Sequence, residues 1–461
     1  MSGNLADVRF VDCDVVTAEG RMDDVGVAVT DGEIVSVAAV DSLPEARREV
    51  GLDGNLLVPG VIDDHVHTRT PGHECKEDWE TATRSAAAGG VTTVVAMPNT
   101  DPIIDRVSRL ESVYETADAD ACVDYATHVV VTSENLDRIP DLAAADIAGF
   151  KLFLGITFGD ITAPTDGELH AAMGAIADTD RRLGFHEEND EIRAYLEAKF
   201  REEGKNEAIY HNRSRPPLAE VEAVSRVCLF ADDTGCPVHM FHLSSGSAAE
   251  TLRDWRRRGV DATAETCPHY LWFTEDVVRE QGTVARVQPP LRTADEVERL
   301  WSVGIDDGAV DCIATDHAPH TDEEKGVGNP DKSVWDTPGG FVGLETQVPA
   351  MLTFAAEGRL TLPEWVRLHS TRPAQIWGMY PQKGSLLPGT DADFTVVDPG
   401  EAWTLDRTTL HSKSTATPFD GESFVGSVEG TVVRGEVVYD GEDVTASPGY
   451  GTLATSGPTD D

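Results

Sequence analysis

Two histidines separated by one residue, His65 and His67, follow directly after the apolar run 56–62. Side chains two positions apart in an extended strand lie on the same face, so both imidazoles point in one direction at the end of the strand. Imidazole nitrogens are ordinary zinc ligands, and this pair supplies half of a metal site. The other ligands must come from distant positions, which requires a fold that gathers the ends of several strands.

Further polar residues stand where later apolar runs end. Lys151 lies within Phe-Lys-Leu-Phe-Leu, His186 follows Gly-Phe, His242 follows Met-Phe, and Asp316 follows Ile-Ala-Thr. One polar residue at each of several strand ends is how a barrel of parallel strands builds an active site. The pattern predicts that these side chains meet at one end of such a barrel.

Strand-like and helix-like segments alternate through the middle of the chain. The strands are rich in Val, Ile and Ala, as expected for strands buried on both faces. No Gly-x-Gly-x-x-Gly motif follows the first strand, so the sequence does not favour a dinucleotide-binding fold. The alternation predicts an α/β fold, a (β/α)8 TIM-like barrel rather than an open doubly wound sheet. Strands are predicted near 56–62, 91–97, 125–132, 147–153, 183–187, 238–243, 260–265 and 310–315, with helices such as 78–88, 166–178, 217–232 and 247–257 between them.

Both ends of the chain have the pattern of short strands joined by turns. One example is Asp31-Gly32, a strong hairpin signal between two apolar segments. We predict a small β-sandwich domain formed by residues 1–55 and 385–445, beside a barrel formed by residues 56–384. The tail 446–461, rich in Gly, Ser, Thr, Pro and Asp, is expected to be disordered.

The chain is strongly acidic, with a formal net charge of -45 over 461 residues. This charge argues against nucleic acid and anionic membranes as partners, because both are polyanions. Only eight of the 37 basic residues are lysines, so the surface is rich in carboxylates and poor in lysine. Such a surface favours a halophilic protein, because high salt screens its self-repulsion. The alternative is an acidic protein from an ordinary, low-salt cytoplasm.

Seven cysteines, an odd number without a Cys-x-x-Cys pair, fit a reducing compartment better than a disulfide framework. The N-terminus has neither a basic region nor an apolar core, and no apolar run approaches the roughly 18 residues that span a bilayer. A cytoplasmic location is expected.

The order His-x-His, Lys, His, His, Asp along an α/β barrel resembles the amidohydrolase superfamily, and the flanking motifs resemble the dihydroorotases most closely. The resemblance covers roughly residues 5–440. Each motif alone is weak, but their order is specific. The motifs are Pro-Gly-Val-Ile-Asp at 59–63, Arg-Thr-Pro-Gly at 69–72, Gly-Gly-Val-Thr-Thr-Val at 89–94, Met-Pro-Asn-Thr at 97–100, Pro-Pro-Leu-Arg at 289–292, Thr-Asp-His-Ala-Pro-His at 315–320 and Gly-Leu-Glu-Thr at 343–346.

The resemblance implies two zinc ions per subunit. His65 and His67 would bind one ion, His186 and His242 the other, and Lys151, carboxylated on its amine by carbon dioxide, would bridge them. The chemistry agrees, because two dications repel a free ammonium and attract its carbamate, which is an anion with two oxygens.

Lys151 and Asp316 each have alternatives that stay open. Lys151 also fits an ordinary lysine that reaches past an apolar strand to solvent. Some dihydroorotases use an aspartate instead, and Asp160 follows nearby. The resemblance makes Asp316 a ligand of the first zinc and the catalytic proton shuttle, which takes a proton from a hydroxide shared by both zinc ions and passes it to the leaving nitrogen. Its alternative is a helix N-cap.

The resemblance also implies a substrate-binding set. Arg69, Asn99 and His320 match the positions that hold the carboxylate of dihydroorotate, which allantoin and simple hydantoins lack; an arginine fork suits a fixed carboxylate. Gln288 stands where many dihydroorotases have Asn, so its contact with the pyrimidine ring stays open. His269 lies in a motif shared with allantoinases, and its role stays open, with packing favoured.

These features together predict a cytoplasmic zinc dihydroorotase that interconverts N-carbamoyl-L-aspartate and L-dihydroorotate in pyrimidine synthesis. The first alternative is an allantoinase or hydantoinase. The second is a non-catalytic dihydroorotase-like subunit; such chains typically lose metal ligands, whereas all six positions are filled here. The family resemblance further implies a homodimer and allows association with another enzyme of the pyrimidine pathway.

Overall fold

The computed structural model describes residues 5–155, 161 and 163–454. The strands in this part of the chain are β1 Ala6–Thr17, β2 Gly20–Thr30, β3 Glu33–Ala39, β4 Ala46–Gly51, β5 Leu56–Pro59, β6 Val61–Val66, β7 Val91–Ala96, β8 Asp124–Thr127, β9 Val129–Val130, β10 Phe150–Phe153, β11 Leu183–His186, β12 Val238–Met240, β13 Ala262–Thr266, β14 Cys312–Ile313, β15 Phe394–Thr404, β16 Ser423–Val433 and β17 Glu436–Tyr439.

The helices lie mainly between the parallel strands in the middle of the chain. Two π-helical turns, Leu300–Asp306 and Arg367–Thr371, directly follow the eleventh and fourteenth helices. The α-helices are α1 Trp79–Ala88, α2 Val107–Asp120, α3 Ile139–Ala143, α4 Asp166–Ala177, α5 Asp190–Glu202, α6 Ile209–Ser214, α7 Pro217–Thr234, α8 Gly246–Arg256, α9 Pro268–Trp272, α10 Asp276–Gln281, α11 Ala294–Arg299, α12 Asp322–Lys325, α13 Gln347–Ala356, α14 Leu362–Val366 and α15 Arg372–Ile376.

Parallel pairing of β6 to β14 closes a barrel. One sheet has the order β6-β7-β8 and the other β14-β13-β12-β11-β10-β9. Because only His128 separates β8 from β9, these two segments act as one interrupted strand, and the barrel has eight strands. A parallel bridge between Val66 and His317 joins the first strand to the last. The carboxyl ends of all eight strands therefore face one end of the barrel.

The two chain termini share a separate sheet of eight strands, in the order β17-β16-β15-β5-β1-β2-β3, with β4 also paired to β1. Antiparallel pairing of β15 with β5 brings the C-terminal strands to the N-terminal ones. Its own core includes Phe10 and Phe394, whose ring centroids lie 4.7 Å apart. The expected domain formed by both termini is present.

The apolar run predicted as one strand at 56–62 is divided between the two sheets. β5 ends at Pro59 in the terminal sheet, and β6 begins at Val61 in the barrel. Gly60 makes this crossing possible, because a Cβ there would lie 2.2 Å from Oγ1 of Thr92. A continuous apolar run thus contains a strand from each sheet, which hydrophobicity alone does not distinguish.

The segment after Ala446 packs against the barrel. The N–H of Gly449 donates to the carbonyl of Ala121 at 3.1 Å, and the N–H of Ala454 donates to the carbonyl of Tyr125 at 2.7 Å. The disorder expected for 446–461 is therefore not observed over 446–454, because these backbone groups find partners at the edge of β8. Residues 455–461 lie outside the described part of the chain.

Capping side chains place several helices. Asp78 begins α1 by accepting from the N–H of Thr81 at 2.9 Å, and the Thr81 side chain returns to the Asp78 backbone. Thr165 with Glu168 begins α4 in the same way. These capping boxes fix where the chain turns from a strand end into a helix. Among the described residues, no helix is long and apolar enough to cross a membrane.

Candidate active site

A cavity of about 380 Å³ opens at the carboxyl end of the barrel. It contains nine of the ten site residues that the sequence predicts, and the tenth, His320, contacts Arg69 in its wall. They come from strands and from the segments that follow them: His65 from β6, His67 and Arg69 directly after β6, Asn99 after β7, Lys151 from β10, His186 from β11, His242 after β12, Gln288 from the segment between β13 and β14, and Asp316 and His320 after β14. The lining residues are His65, His67, Arg69, Asn99, Lys151, Phe153, His186, His242, Gln288, Asp316, Ala318 and Gly339.

Three acceptor atoms converge on one side of the cavity. Nδ1 of His65 donates to Glu265 at 2.6 Å, and Nδ1 of His67 donates to Asn99 at 2.7 Å. In neutral imidazoles this leaves both Nε2 atoms as lone pairs. They lie 3.3 and 3.1 Å from the same Asp316 oxygen. Acceptors so close repel one another unless a cation lies among them, so this group fits a metal ion.

A second pair of nitrogens converges on the other side. Nε2 of His186 donates to Glu188 at 2.9 Å, so its Nδ1 carries the lone pair, and this atom lies 2.9 Å from Nε2 of His242. Arg215 also donates to Glu188 and holds that carboxylate in place. The two imidazoles therefore aim at one point, as two ligands of a second ion would.

The electrostatics of the cavity favour neutral imidazoles. Burial, followed by the charge of Lys151, lowers the pKa of His65 well below its ordinary value. Burial likewise lowers the pKa values of His186 and His242. Only neutral imidazole binds a metal ion, so these groups are in the required state without losing a proton first.

Lys151 is fully buried between the two histidine groups. Its Nζ has no hydrogen-bond partner among the described residues, and it lies 3.8 Å from the ring centroid of Phe241. Burial lowers its pKa from 10.5 to about 8. Such a side chain does not fit the alternative of a lysine that reaches solvent, since the amine is enclosed in the barrel. The other alternative, Asp160, lies outside the described residues.

Three cavity residues adopt a left-handed backbone that side chains other than glycine rarely take. The φ angles are +61° at Arg69, +38° at His242 and +47° at Asp316. Each such residue costs roughly 1–3 kcal/mol of backbone strain, which persists where the surrounding structure imposes it. Backbone strain of this kind is typical of functional sites, and here it occurs at residues that line the cavity.

A buried arginine, Arg69, also lines the cavity. Arg69 is 2% exposed; its Nε donates to the carbonyl of Pro319 at 3.1 Å, and its Nη2 lies 3.2 Å from Nε2 of His320. Burial lowers its pKa to about 10, so it remains charged at neutral pH. Gln288 reaches the cavity because Gly339 leaves room, since a Cβ there would lie 2.7 Å from Cγ of Gln288.

Other histidines and carboxylates have structural surroundings. His269 packs against Tyr270 and Phe341, with ring centroids 4.2 and 4.9 Å away, as expected for a packing histidine. In the described part of the chain, two more groups of acidic, histidine or cysteine side chains lie close enough together to hold a metal. In both groups protein donors already contact the carboxylates: Trp377 in the group Asp64, His239 and Cys312, and Lys383 in the group Asp124, Asp391 and Asp393.

Glu265 and Glu188 orient histidines of the candidate metal site, and the sequence pattern did not identify either glutamate. Glu265 accepts from both the His65 ring and the backbone N–H of His242, at 2.6 and 3.0 Å. A signal for each was present: Glu265 ends a strand, and Glu188 lies two residues after His186. Without the fold, nothing distinguished them from the many other acidic residues.

Comparison with known proteins agrees with this geometry. The model of the amidohydrolase family matches residues 56–438, and the chain belongs to this family. More narrowly, it is a cyclic amidohydrolase. It is 35% identical to an allantoinase of Deinococcus radiodurans over 94% of this chain and 95% of that protein. It is 36% identical to a dihydroorotase of Geobacter sp. strain M21 over 90% of this chain and 94% of that protein.

A solved structure also resembles the whole chain. The L-hydantoinase (dihydropyrimidinase) of Arthrobacter aurescens superposes with a TM-score of 0.94 at 31% identity, covering 98% of this chain and 100% of that one. The predicted barrel with a terminal β-domain is thereby confirmed. The names of these relatives differ in the substrate, and overall similarity does not choose among them.

Proposed function

We propose that this cyclic amidohydrolase is a dihydroorotase, which interconverts N-carbamoyl-L-aspartate and L-dihydroorotate. The observation that supports this substrate is the buried guanidinium of Arg69 in the wall of the histidine-lined cavity. An arginine fork suits a carboxylate, because the guanidinium can donate two parallel hydrogen bonds to its two oxygens. Dihydroorotate carries a ring carboxylate, whereas hydantoin and allantoin do not.

The donor set fits two divalent ions, for which we propose zinc. His65, His67 and Asp316 would hold one, His186 and His242 the other, with carboxylated Lys151 between them. When bound, such ions lower the pKa of water and polarise a carbonyl. The fully buried amine of Lys151 supports the carbamate, because carbamylation removes an enclosed positive charge.

Asp316 is the proposed proton carrier. Among the described residues that line the cavity, it is the only carboxylate. Its position beside Nε2 of His65 and of His67 would allow it to accept the proton of the water that adds to the amide carbonyl. It would then donate this proton to the ring nitrogen as the amide C–N bond breaks. An Asp316→Asn variant is expected to fold and bind substrate but to lose turnover.

An allantoinase or hydantoinase is the second candidate. The allantoinase match at 35% identity and the L-hydantoinase structure at a TM-score of 0.94 favour it as strongly as the dihydroorotase match favours the first. Gln288 stands where many dihydroorotases have Asn, so its contact with the substrate ring would differ from the contact in those enzymes. A non-catalytic subunit ranks below both, because all six expected metal positions retain their ligands around one cavity.

Steady-state hydrolysis tests the proposal. L-dihydroorotate, allantoin and hydantoin are compared as substrates of zinc-loaded protein in molar potassium chloride. We expect preferential turnover of dihydroorotate, lost in Arg69→Ala with its metal content unchanged. Arg47→Ala is the control, since Arg47 pairs with Asp7 in the terminal sheet, outside the cavity. Turnover of allantoin alone would contradict the carboxylate argument. Light scattering tests the homodimer, which rests on the family resemblance.

A further inference from the structure

Lys76 lies beneath the proposed carboxylate-binding wall. It is 8% exposed, although lysine is rarely buried. Two backbone hydrogen bonds fold the loop after Arg69: the N–H of His73 donates to Arg69 at 3.0 Å, and the N–H of Lys76 donates to His73 at 2.9 Å. This turn brings Nζ of Lys76 to 3.3 Å from Nδ1 of His320.

The contact with Lys76 determines which nitrogen of His320 carries hydrogen. Burial, followed by the charges of Arg69 and Lys76, lowers the pKa of His320 well below its ordinary value, so the ring is neutral and has one N–H. The ammonium of Lys76 only donates, so Nδ1 must accept. Nε2 then carries the hydrogen, which agrees with its 3.2 Å distance to the carbonyl of Gly339.

The resulting N–H of His320 lies beside the cavity. Nε2 is 3.2 Å from Nη2 of Arg69 and 3.2 Å from the carbonyl of Gly339, and both of these residues line the cavity. Gly339 accepts this N–H, so Nη2 of Arg69, which can only donate, makes no hydrogen bond to Nε2 in this tautomer. With the other tautomer, Nδ1–H would face the ammonium of Lys76, and the lone pair of Nε2 would accept a hydrogen bond from Nη2 of Arg69.

An ion pair holds Lys76 in this position. Its Nζ lies 2.9 Å from Glu324 in α12, the short helix that follows His320. Although burial opposes it, the hydrogen bond from Lys76 lowers the pKa of Glu324 and keeps it ionised. A lysine and an arginine thus flank His320 in a chain whose net charge is -45, so this wall is locally positive.

We infer that Lys76 is a positioning residue for a carboxylate-bearing substrate. It holds His320 in the Nε2-protonated form, so that the ring does not accept a hydrogen bond from Arg69 and the guanidinium can donate to the carboxylate. Lys76 itself does not touch the substrate. The inference rests on the proposed function. It identifies a lysine that would favour binding of cyclic amides with a carboxylate over uncharged ones.

Paired binding measurements test this role. Calorimetry compares orotate, which has the ring carboxylate, with uracil, which lacks it, on zinc-loaded wild type, Lys76→Met and Lys76→Arg. Steady-state kinetics on L-dihydroorotate give KM and kcat for the same proteins. Lys413→Met is the matched control, because Lys413 binds the carbonyl of Glu74 in the same loop and the carboxylate of Asp78.

The expected result is specific to the carboxylate. Lys76→Met should raise the Kd of orotate and the KM of dihydroorotate roughly ten- to hundredfold, the range of one hydrogen bond to a charged group, while uracil binding and kcat change little. Lys76→Arg, which keeps the charge and a donor, should restore most of the orotate preference. Lys413→Met should match wild type.

Three other outcomes overturn the inference for different reasons. If wild type binds orotate no better than uracil, the proposed substrate fails and the role of Lys76 fails with it. If wild type prefers orotate and Lys76→Met keeps the full preference, the role of Lys76 alone is refuted. If Lys76→Met weakens orotate and uracil binding equally, the substitution damages the cavity in general and the inference is overturned. Failure of Lys76→Arg to restore binding would confirm that the damage does not depend on the charge.

Discussion

Replacement of Lys151 by methionine should stabilise the metal-free protein and abolish its metal binding. Lys151 is fully buried, its amine has no hydrogen-bond partner among the described residues, and burial lowers its pKa from 10.5 to about 8. Each pKa unit corresponds to 1.36 kcal/mol, so the protonated amine costs about 3 kcal/mol of folding free energy. Methionine removes the charge and fills similar space.

The sign of the pH dependence follows from the lowered pKa. Below about 8 the amine is protonated in both folded and unfolded chains, and the full cost is present. Between about 8 and 10.5 only the unfolded chain is protonated to a large extent, so the cost fades as the pH rises. Above 10.5 the amine is neutral in both states, and its charge no longer affects stability.

Urea unfolding of chelator-treated, bicarbonate-free protein measures this difference. At neutral pH, Lys151→Met should be more stable than wild type by about 3 kcal/mol, and the gap should close above pH 10.5. After zinc and bicarbonate are restored, wild type should bind two ions and the variant fewer, with no activity. Lys383→Met is the matched buried control: it leaves Asp124 and Asp393 without their lysine and should lose about 3–5 kcal/mol.

Two results would refute this reasoning. A metal-free Lys151→Met protein that is less stable than wild type at neutral pH would show that the buried amine does not destabilise the fold. A variant that keeps both metal ions and wild-type turnover would show that Lys151 is not part of the metal site, whatever its effect on stability.

Three further predictions concern other contacts. The hydrogen bond to Glu345 raises the pKa of His411 above 6.5. The stabilisation from this contact is therefore full below pH 6.5 and fades as the pH rises through the raised pKa. The difference in unfolding free energy between wild type and His411→Gln, measured by urea unfolding, should shrink over the same pH range. Glu188→Gln should weaken zinc binding roughly ten- to hundredfold in chelator competition, because Glu188 orients His186; unchanged affinity would contradict this. The melting temperature should rise from low salt to molar potassium chloride, because salt screens a net charge of -45; a flat response would count against halophilic adaptation.

Much of the fold was accessible from hydrophobic patterning. The segment predicted at 183–187 corresponds to Leu183–His186, and the helix predicted at 217–232 to Pro217–Thr234. The run 56–62 was assigned to one strand and belongs to two, because an apolar run shows burial but not which sheet accepts its hydrogen bonds. The expected disorder after 446 failed over 446–454 for a similar reason: composition does not show that a barrel edge offers backbone partners.

The residue types and their spacing determined the character of the site. His65 and His67 share a face because the strand repeats every two residues, and polar residues at later strand ends imply a common edge. These are local properties, and they indicated a metal-binding barrel and its candidate ligands.

Only the tertiary structure decided how these groups act on one another. Arg69 and His320 are 251 residues apart, and His65 and Glu265 are 200 apart, yet both pairs are in contact. The protonated nitrogen of each histidine, the isolation of the Lys151 amine and the place of Lys76 all depend on such partners. A side chain's charge and tautomer follow from the atoms within a few ångströms of it, and in a barrel those atoms belong to strands that the chain reaches much later.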